Sequence, residues 1–355
     1  MGPSPALAGM LCLAVAMGVG RFAFTPILPM MGLPVAEGGW LASANYVGYL
    51  AGAMSAMVLR ASPQAAIRAG LAIVAATTLA MAFTGSFAAW ALLRFAAGVA
   101  SAWVLVNVSS LGSTRPEVVF SGVGVGMAVS GLACLGLLLA GAPADAAWIS
   151  LGVLALAGLA TVWGAGSTPA AETPAAPNGA VPAGGLLVFC YGAFGFGYIV
   201  PATFLPAMAK EAIANPAAFG LVWPVFGAAA AASTLLAAPA RRRWGDRNVW
   251  AASHGLMAAG VVVLVIPGVP ATLAMGVSAL LVGGTFMVAT LAGMQEARRL
   301  GGAGARRLIA AMTSAFALGQ IAGPLLVSLV HNVAVSLGAA ALLLVATAFI
   351  LRRTP

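Results

Sequence analysis

Two arginines stand where a charge is expensive. Arg21 lies near the centre of one long apolar run, and Arg94 lies inside another. On insertion scales a guanidinium at the centre of the hydrocarbon layer costs about 2.5–3.5 kcal/mol, so neither side chain can face lipid cheaply. Gly18 falls almost one helical turn before Arg21 and Thr25 one turn after it, which places the three on one face. A cation in that setting either lines an enclosed wet cavity and attracts an anionic group, or is tied to helix carbonyls as a structural group. Arg94 opens the segment RFAAG, followed by a stripe of small residues at Gly98 and Ala102. It lies nearer the outer end of its run, where snorkelling to the interface is the competing reading.

Neutral polar side chains recur in similar settings. Asn45, Tyr49 and Gly52 share one helical face, and Gly48 and Gly52 have the spacing that lets helices approach closely. Tyr191, Tyr198 and Thr203 lie in a later run, and Gln320 sits deep in GQIAGP, residues 319–324. Each is a candidate ligand contact or a packing group. The candidate binding set is therefore Arg21, Thr25, Asn45, Tyr49, Arg94, Tyr191, Tyr198, Thr203 and Gln320. His254 is read as a satisfied histidine near the membrane interface.

What is missing narrows the chemistry. No run has a carboxylate at its centre: Glu37, Asp145 and Glu211 fall at outer edges, and Glu117, Glu172, Asp246 and Glu296 at inner edges or in loops. Proton coupling needs an embedded titratable group. Glu296, Glu37 or His254 would have to reach inward, or the solute would have to carry the proton. There is no phosphate-cradling Gly-x-x-x-x-Gly-Lys loop, no nucleophile with a base at helical spacing and no metal-ligand cluster, so no cofactor or metal is expected and an enzyme is disfavoured. Cys12, Cys134 and Cys190 each lie within an apolar run and read as small buried hydrophobes.

The elements that must hold these residues are membrane helices. Of the 355 residues 62% are hydrophobic and only 6% charged, against about 25% charged in soluble domains. The apolar runs read 7–31, 38–59, 67–85, 89–111, 118–140, 145–163, 185–209, 217–239, 249–267, 270–294, 310–329 and 334–351. Runs of about 20 residues match a hydrocarbon core of about 30 Å at a helical rise of about 1.5 Å. Strong period-two alternation is absent, which argues against a membrane barrel.

Charge orients the runs. Arg60 and Arg68, Arg115, the cluster Arg241, Arg242, Arg243 and Arg247, the cluster Arg298, Arg299, Arg306 and Arg307, and Arg352 and Arg353 all fall in alternate gaps; only Lys210 falls in an odd one. Cationic loops stay on the cytoplasmic side, so both termini are expected inside and the first run is expected to be retained as a span. A net charge of +9 sorted to one face in small clusters speaks for lipid headgroups and against nucleic acid.

The stretch 164–185, with Pro169, Pro174, Pro177 and Pro182 among small residues, reads as a flexible linker. It divides the chain into an N-terminal six-helix bundle (1–163), a cytoplasmic linker (164–184) and a C-terminal six-helix bundle (185–355). The halves look related. A shift of 177 pairs Gly18 with Gly195, Gly20 with Gly197, Pro29 with Pro206, and Arg21 with Tyr198. Gly-x-Gly with trailing proline at matching places points either to interrupted spans around a central transporter site or to tight helix packing.

The whole chain resembles the major facilitator superfamily. GVGRFAFTPILPMM (18–31), GWLASANYVGYLAGA (39–53), YGAFGFGYIVPATFLPAMA (191–209) and FALGQIAGPLL (316–326) resemble its YbfB/YjiJ branch. LLRFAAGVASA (92–102) is similar to the superfamily's fourth-helix arginine motif, with Ala97 where glutamine is common. The resemblance implies alternating access, with spans 1, 4, 7 and 10 around the site. It also implies gating by the cytoplasmic loops that carry Arg60, Arg68, Arg241, Asp246 and Arg247, although RASPQAAIR (60–68) lacks the usual aspartate.

The expected protein is an all-α integral membrane protein of the inner membrane, with twelve transmembrane helices in two pseudo-symmetric six-helix bundles. Its partners are a small polar or anionic solute, with protons as a candidate coupling ion, and the lipid bilayer; it is read as a monomer. A multidrug-type efflux carrier and a transporter-like receptor or scaffold are the alternatives.

Overall fold

The computed structural model describes residues 3–33, 35–58, 61–111, 113–164, 184–330 and 332–353. Arg60 and the body of the predicted linker, 165–183, lie outside the described residues. The helices are α1 (Pro5–Leu13), α2 (Phe24–Met31), α3 (Val35–Val58), α4 (Pro63–Ala80), α5 (Phe87–Leu111), α6 (Pro116–Leu139), α7 (Ala144–Gly164), α8 (Gly184–Ala212), α9 (Pro216–Gly220), α10 (Val222–Val262), α11 (Ala271–Gly301), α12 (Ala305–Val330) and α13 (Val333–Arg353). No strand occurs among the described residues. In hydrocarbon a backbone must satisfy its own polar groups, and an unbroken helix does so within one segment.

Among the described residues nine helical stretches are long and apolar enough to cross a membrane. Two of them, Pro216–Val265 and Ala271–Val327, run to 50 and 57 residues. At a rise of about 1.5 Å per residue each would be more than twice the bilayer core of about 30 Å. Both contain a break. Gly245 takes φ 76° and ψ 159° within α10, and Gly302 takes φ 49° directly after α11. Side chains with a Cβ resist these conformations, so each glycine lets the chain leave one helix and begin another. The arginines cluster at the same two places.

The first apolar run is not one regular helix. Between α1 and α2, residues Ala14–Phe22 form a π-helical segment that ends in a turn at Ala23. The corresponding run in the second half stays α-helical throughout α8, so the two runs do not share an interruption. The difference lies in what surrounds them. Arg94 donates to the carbonyls of Gly20 (3.1 Å) and Arg21 (3.0 Å), and Ser101 Oγ donates to that of Ala16 (2.6 Å). These outside donors hold a widened turn. In α8, Tyr198 takes the position of Arg21 and stacks its ring on aromatic neighbours.

Helices approach closely where glycines meet backbone. A Cβ at Gly48 or Gly98 would collide with the Phe95 or Asn45 carbonyl across the α3–α5 contact. Gly195 and Gly319 do the same for α8 and α12. The two halves of the chain touch through α3 with α12 and α6 with α10; in the second pair Gly124 and Gly227 bring the backbones together.

At the arginine-rich end, Arg241 pairs with Asp246, and the buried Glu296 pairs with Arg247 (3.2 Å) and Arg299 (2.8 Å). Removing one member of a buried pair leaves the other charge uncompensated. Glu296→Gln should cost about 2 kcal/mol after discounting for the exposed Arg299. The effect would be read as a fall in melting temperature of the detergent-purified chain; an unchanged melting temperature would mean that the pair does not support the fold.

Candidate functional site

The π-helical segment aims Arg21 into the protein rather than at lipid: the residue is only 3% exposed. Its guanidinium lies over the Tyr49 ring at 3.9 Å from the centroid, with Tyr46 at 5.3 Å and Phe22 at 5.5 Å. A cation on aromatic faces is attracted by the ring quadrupoles, and more strongly where water is excluded. Nη2 donates to Oε1 of Gln320, which comes from α12, 299 residues away. Nε and Nη1 of Arg21 have no protein partner among the described residues. The ion pairs found there are Arg241–Asp246, Arg247–Glu296 and Arg299–Glu296, so no carboxylate neutralises Arg21 or Arg94.

Arg94 is also 3% exposed. It does not snorkel. Both of its terminal amines are occupied by the Gly20 and Arg21 carbonyls, its guanidinium lies 4.8 Å from the Phe24 ring, and only Nε lacks a partner. Its own carbonyl accepts from Asn45 Nδ2 at 2.9 Å. The two arginines thus divide the roles that sequence left open for each. Arg94 braces the backbone that carries Arg21, and Arg21 keeps N–H groups free.

Of the chain's four tyrosines, Tyr46 and Tyr49 lie beside the guanidinium, and Tyr191 and Tyr198 belong to an aromatic cluster with Phe194, Phe286 and Phe316. The Tyr198 ring stacks on Phe286 at 4.3 Å and 10°, and lies 5.8 Å from Phe316 at 17°. Phe22 meets Phe286 edge-on at 5.8 Å. Asn45 Oδ1, Tyr198 Oη, Thr203 Oγ1 and Gln320 Nε2 are buried without a protein partner. Such groups are rare in native folds and need a reason.

Arg21, Asn45, Tyr49, Arg94, Tyr191, Tyr198 and Gln320 are therefore brought together. Thr25 is half-buried in α2, with no polar contact among those found, and Thr203 is half-buried in α8. Of the residues expected in loops, Arg68 lies in α4 and stacks on Trp163 at 5.0 Å, and Arg241, Asp246 and Arg247 lie in α10 around the break at Gly245 and belong to the ion pairs above. His254 is fully buried, and both of its ring nitrogens have partners. Its Nε2 accepts from Trp250 Nε1 at 2.8 Å, and Nδ1 lies 2.9 Å from Thr347 Oγ1. An Nε2 that accepts leaves the ring proton on Nδ1, so the imidazole is held neutral.

Tyr46, which the sequence places in the same run as Asn45 and Tyr49, joins the site. Phe22, Phe286, Phe316 and Ser101 are additions the sequence did not single out. Phe316 could have been found as one turn before Gln320. Phe286 is one apolar residue among many and carries no local signal.

No match was found among curated proteins. A family profile described as "uncharacterised MFS-type transporter YbfB" matches residues 13–352, essentially the whole chain. That match covers the segmented first span with Arg21, the α5 segment with Arg94 and the α12 segment with Gln320. The chain belongs to this YbfB-type family of major facilitator superfamily transporters and is a multi-pass membrane protein.

Proposed function

We propose that the chain is a secondary transporter of the inner membrane that carries a small anionic solute by alternating access, with Arg21 as the solute's counter-charge. One observation carries this reading: Arg21 is buried, has two guanidinium nitrogens without a partner, and has no carboxylate beside it among the described residues. A buried lone cation costs several kcal/mol of hydration, and a bound anion would offset that cost. Residues from both halves of the chain meet at this group, as a site between two moving bodies requires.

A twelve-span arrangement is supported by the breaks at Gly245 within α10 and at Gly302 between α11 and α12, with α3 added to the remaining spans. The two six-helix bundles are then 1–163 and 185–355, joined by 164–184, with both termini in the cytoplasm. A green-fluorescent reporter fused after Arg353 should fluoresce, and alkaline phosphatase at the same point should be inactive; the opposite pattern would invert the topology. A proton that moves with the solute is carried by the solute itself, since Glu296 is held in ion pairs, His254 lies between Trp250 and Thr347, and Glu37 is exposed at the start of α3.

The test is uptake of labelled organic anions and matched uncharged analogues into proteoliposomes. Anions should be carried and the analogues should not; equal flux of both would remove the reading. Gln320→Glu sharpens it. A carboxylate placed on Arg21 from within should displace the solute and lower anion affinity by about 100-fold, the scale of one buried charge-assisted pair. Unchanged affinity in this variant would separate the solute from Arg21.

A further inference from the structure

Resting on that reading of Arg21, we infer that the solute is a monocarboxylate attached to a flat, unsaturated body, an aryl or arylalkyl carboxylate. Three features converge on this class.

The first is the number of free donors. Arg94 keeps its charge but gives both terminal amines to backbone carbonyls, with only Nε left unpartnered. That leaves one guanidinium able to make a two-point contact, which suits a single carboxylate. A dicarboxylate or a phosphate would bring more acceptors than Arg21 can meet, and burying them unpaired is costly.

The second is the geometry at Arg21. A guanidinium offers two edges for two-point binding of a carboxylate, Nε with Nη2 or Nη1 with Nη2. Both include Nη2, the atom now bonded to Gln320. Nε and Nη1 are free, and Nη2 has a second N–H beside the one given to Gln320, so one edge is open as the site stands and the other opens once Gln320 yields. Gln320 then still offers Nε2, a donor without a partner, to the same anion. The Tyr198 hydroxyl is another buried group without a partner, on a ring stacked against Phe286. Gln320 Nε2 and this hydroxyl can both donate, and a carboxylate is an acceptor with about four lone-pair sites.

The third is the wall. Next to Arg21 in the chain, Phe22 stands edge-on to Phe286 and 6.3 Å from Trp223. Tyr198 stacks on Phe286 and lies nearly parallel to Phe316. A stacked aromatic wall beside a single cation complements a ligand with one charged end and a flat apolar end.

The experiment is binding to the purified full-length chain in detergent, by calorimetry, with phenylacetate, acetate, succinate, phenylacetamide and phenethylamine. Phenylacetate should bind at least about tenfold tighter than acetate, the scale of burying one ring. The amide and the amine should not bind, and Arg21→Met should abolish phenylacetate binding. Phe286→Leu should weaken phenylacetate about fivefold and leave acetate unchanged. Phe316→Leu should act the same way and serves if the first variant does not fold. Acetate or succinate binding as tightly as phenylacetate, with loss in Arg21→Met, would overturn the aryl class and leave the anion site standing. Binding of the amide or amine, or anion binding indifferent to Arg21→Met, would overturn both. Phenylacetate affinity untouched by both wall variants would also overturn the aryl class.

Discussion

Arg21→Met in proteoliposomes should reduce anion uptake by at least about 100-fold. The size follows from the interaction removed. A charge-assisted, two-point contact between guanidinium and carboxylate in a site shielded from water is worth about 3 kcal/mol, and each 1.4 kcal/mol is about tenfold in affinity. Arg21→Lys keeps the charge but loses the planar fork and the stacking on Tyr49, so it should lie between, about tenfold below the native chain. Methionine nearly fills the same volume without charge. Because Arg21 is a buried cation without a carboxylate among the described residues, its removal should not lower the melting temperature of the ligand-free chain, since the hydration cost disappears with the charge. Loss of uptake with retained thermal stability is the expected signature. Uptake within threefold of native, or a collapse of folded protein on Arg21→Met, would show that the guanidinium serves the fold instead.

The second large effect is structural. Gly98→Val should remove most of the folded, monodisperse protein, a loss of at least about 3 kcal/mol. A Cβ at Gly98 would fall on the Asn45 carbonyl and crowd the Tyr49 backbone nitrogen across the α3–α5 contact. Backbone cannot swing aside as a side chain can, so the helices must part. Parting them would move Asn45 off the Arg94 carbonyl and Tyr49 from under Arg21. Gly319→Val should do the same between α8 and α12, where the Cβ would meet the Gly192 carbonyl and the Phe196 nitrogen. Gly284→Ala is the control. It has open space around the new methyl and gains helix propensity of about 0.5–1 kcal/mol. Size-exclusion recovery in detergent separates the cases; normal recovery of Gly98→Val would mean that the close approach of α3 and α5 is not required.

The roles of Arg21 and Arg94 show how far a sequence can be read. Both stand out as charges within apolar runs, and that much needs no structure, because hydrocarbon makes an embedded guanidinium conspicuous. Sequence left each arginine with two readings, ligand contact or structural tie. Contacts separate them: Arg94 meets the carbonyls of a π-helical turn, which no local pattern announced, while Arg21 keeps free N–H groups. The likeness of the two halves was visible around Gly18 and Gly195, yet only the first of these runs departs from α-helix, because only there do Arg94 and Ser101 supply outside donors.

By itself the sequence determined that this is a helical membrane protein, where its apolar stretches begin and end, and which buried charges demand an explanation. These follow from the thickness of a bilayer, the helical rise and the cost of charge in oil, all of which act along the chain locally. The tertiary structure alone decided that Gln320 meets Arg21 across 299 residues, that Tyr46 and Tyr49 face its guanidinium, and that Phe286 stacks on Tyr198. Helical periodicity tells which face a residue occupies, but the partner of that face depends on how helices cross, and close crossing is set by backbone contacts at Gly48, Gly98, Gly195 and Gly319 that act only once the helices have met.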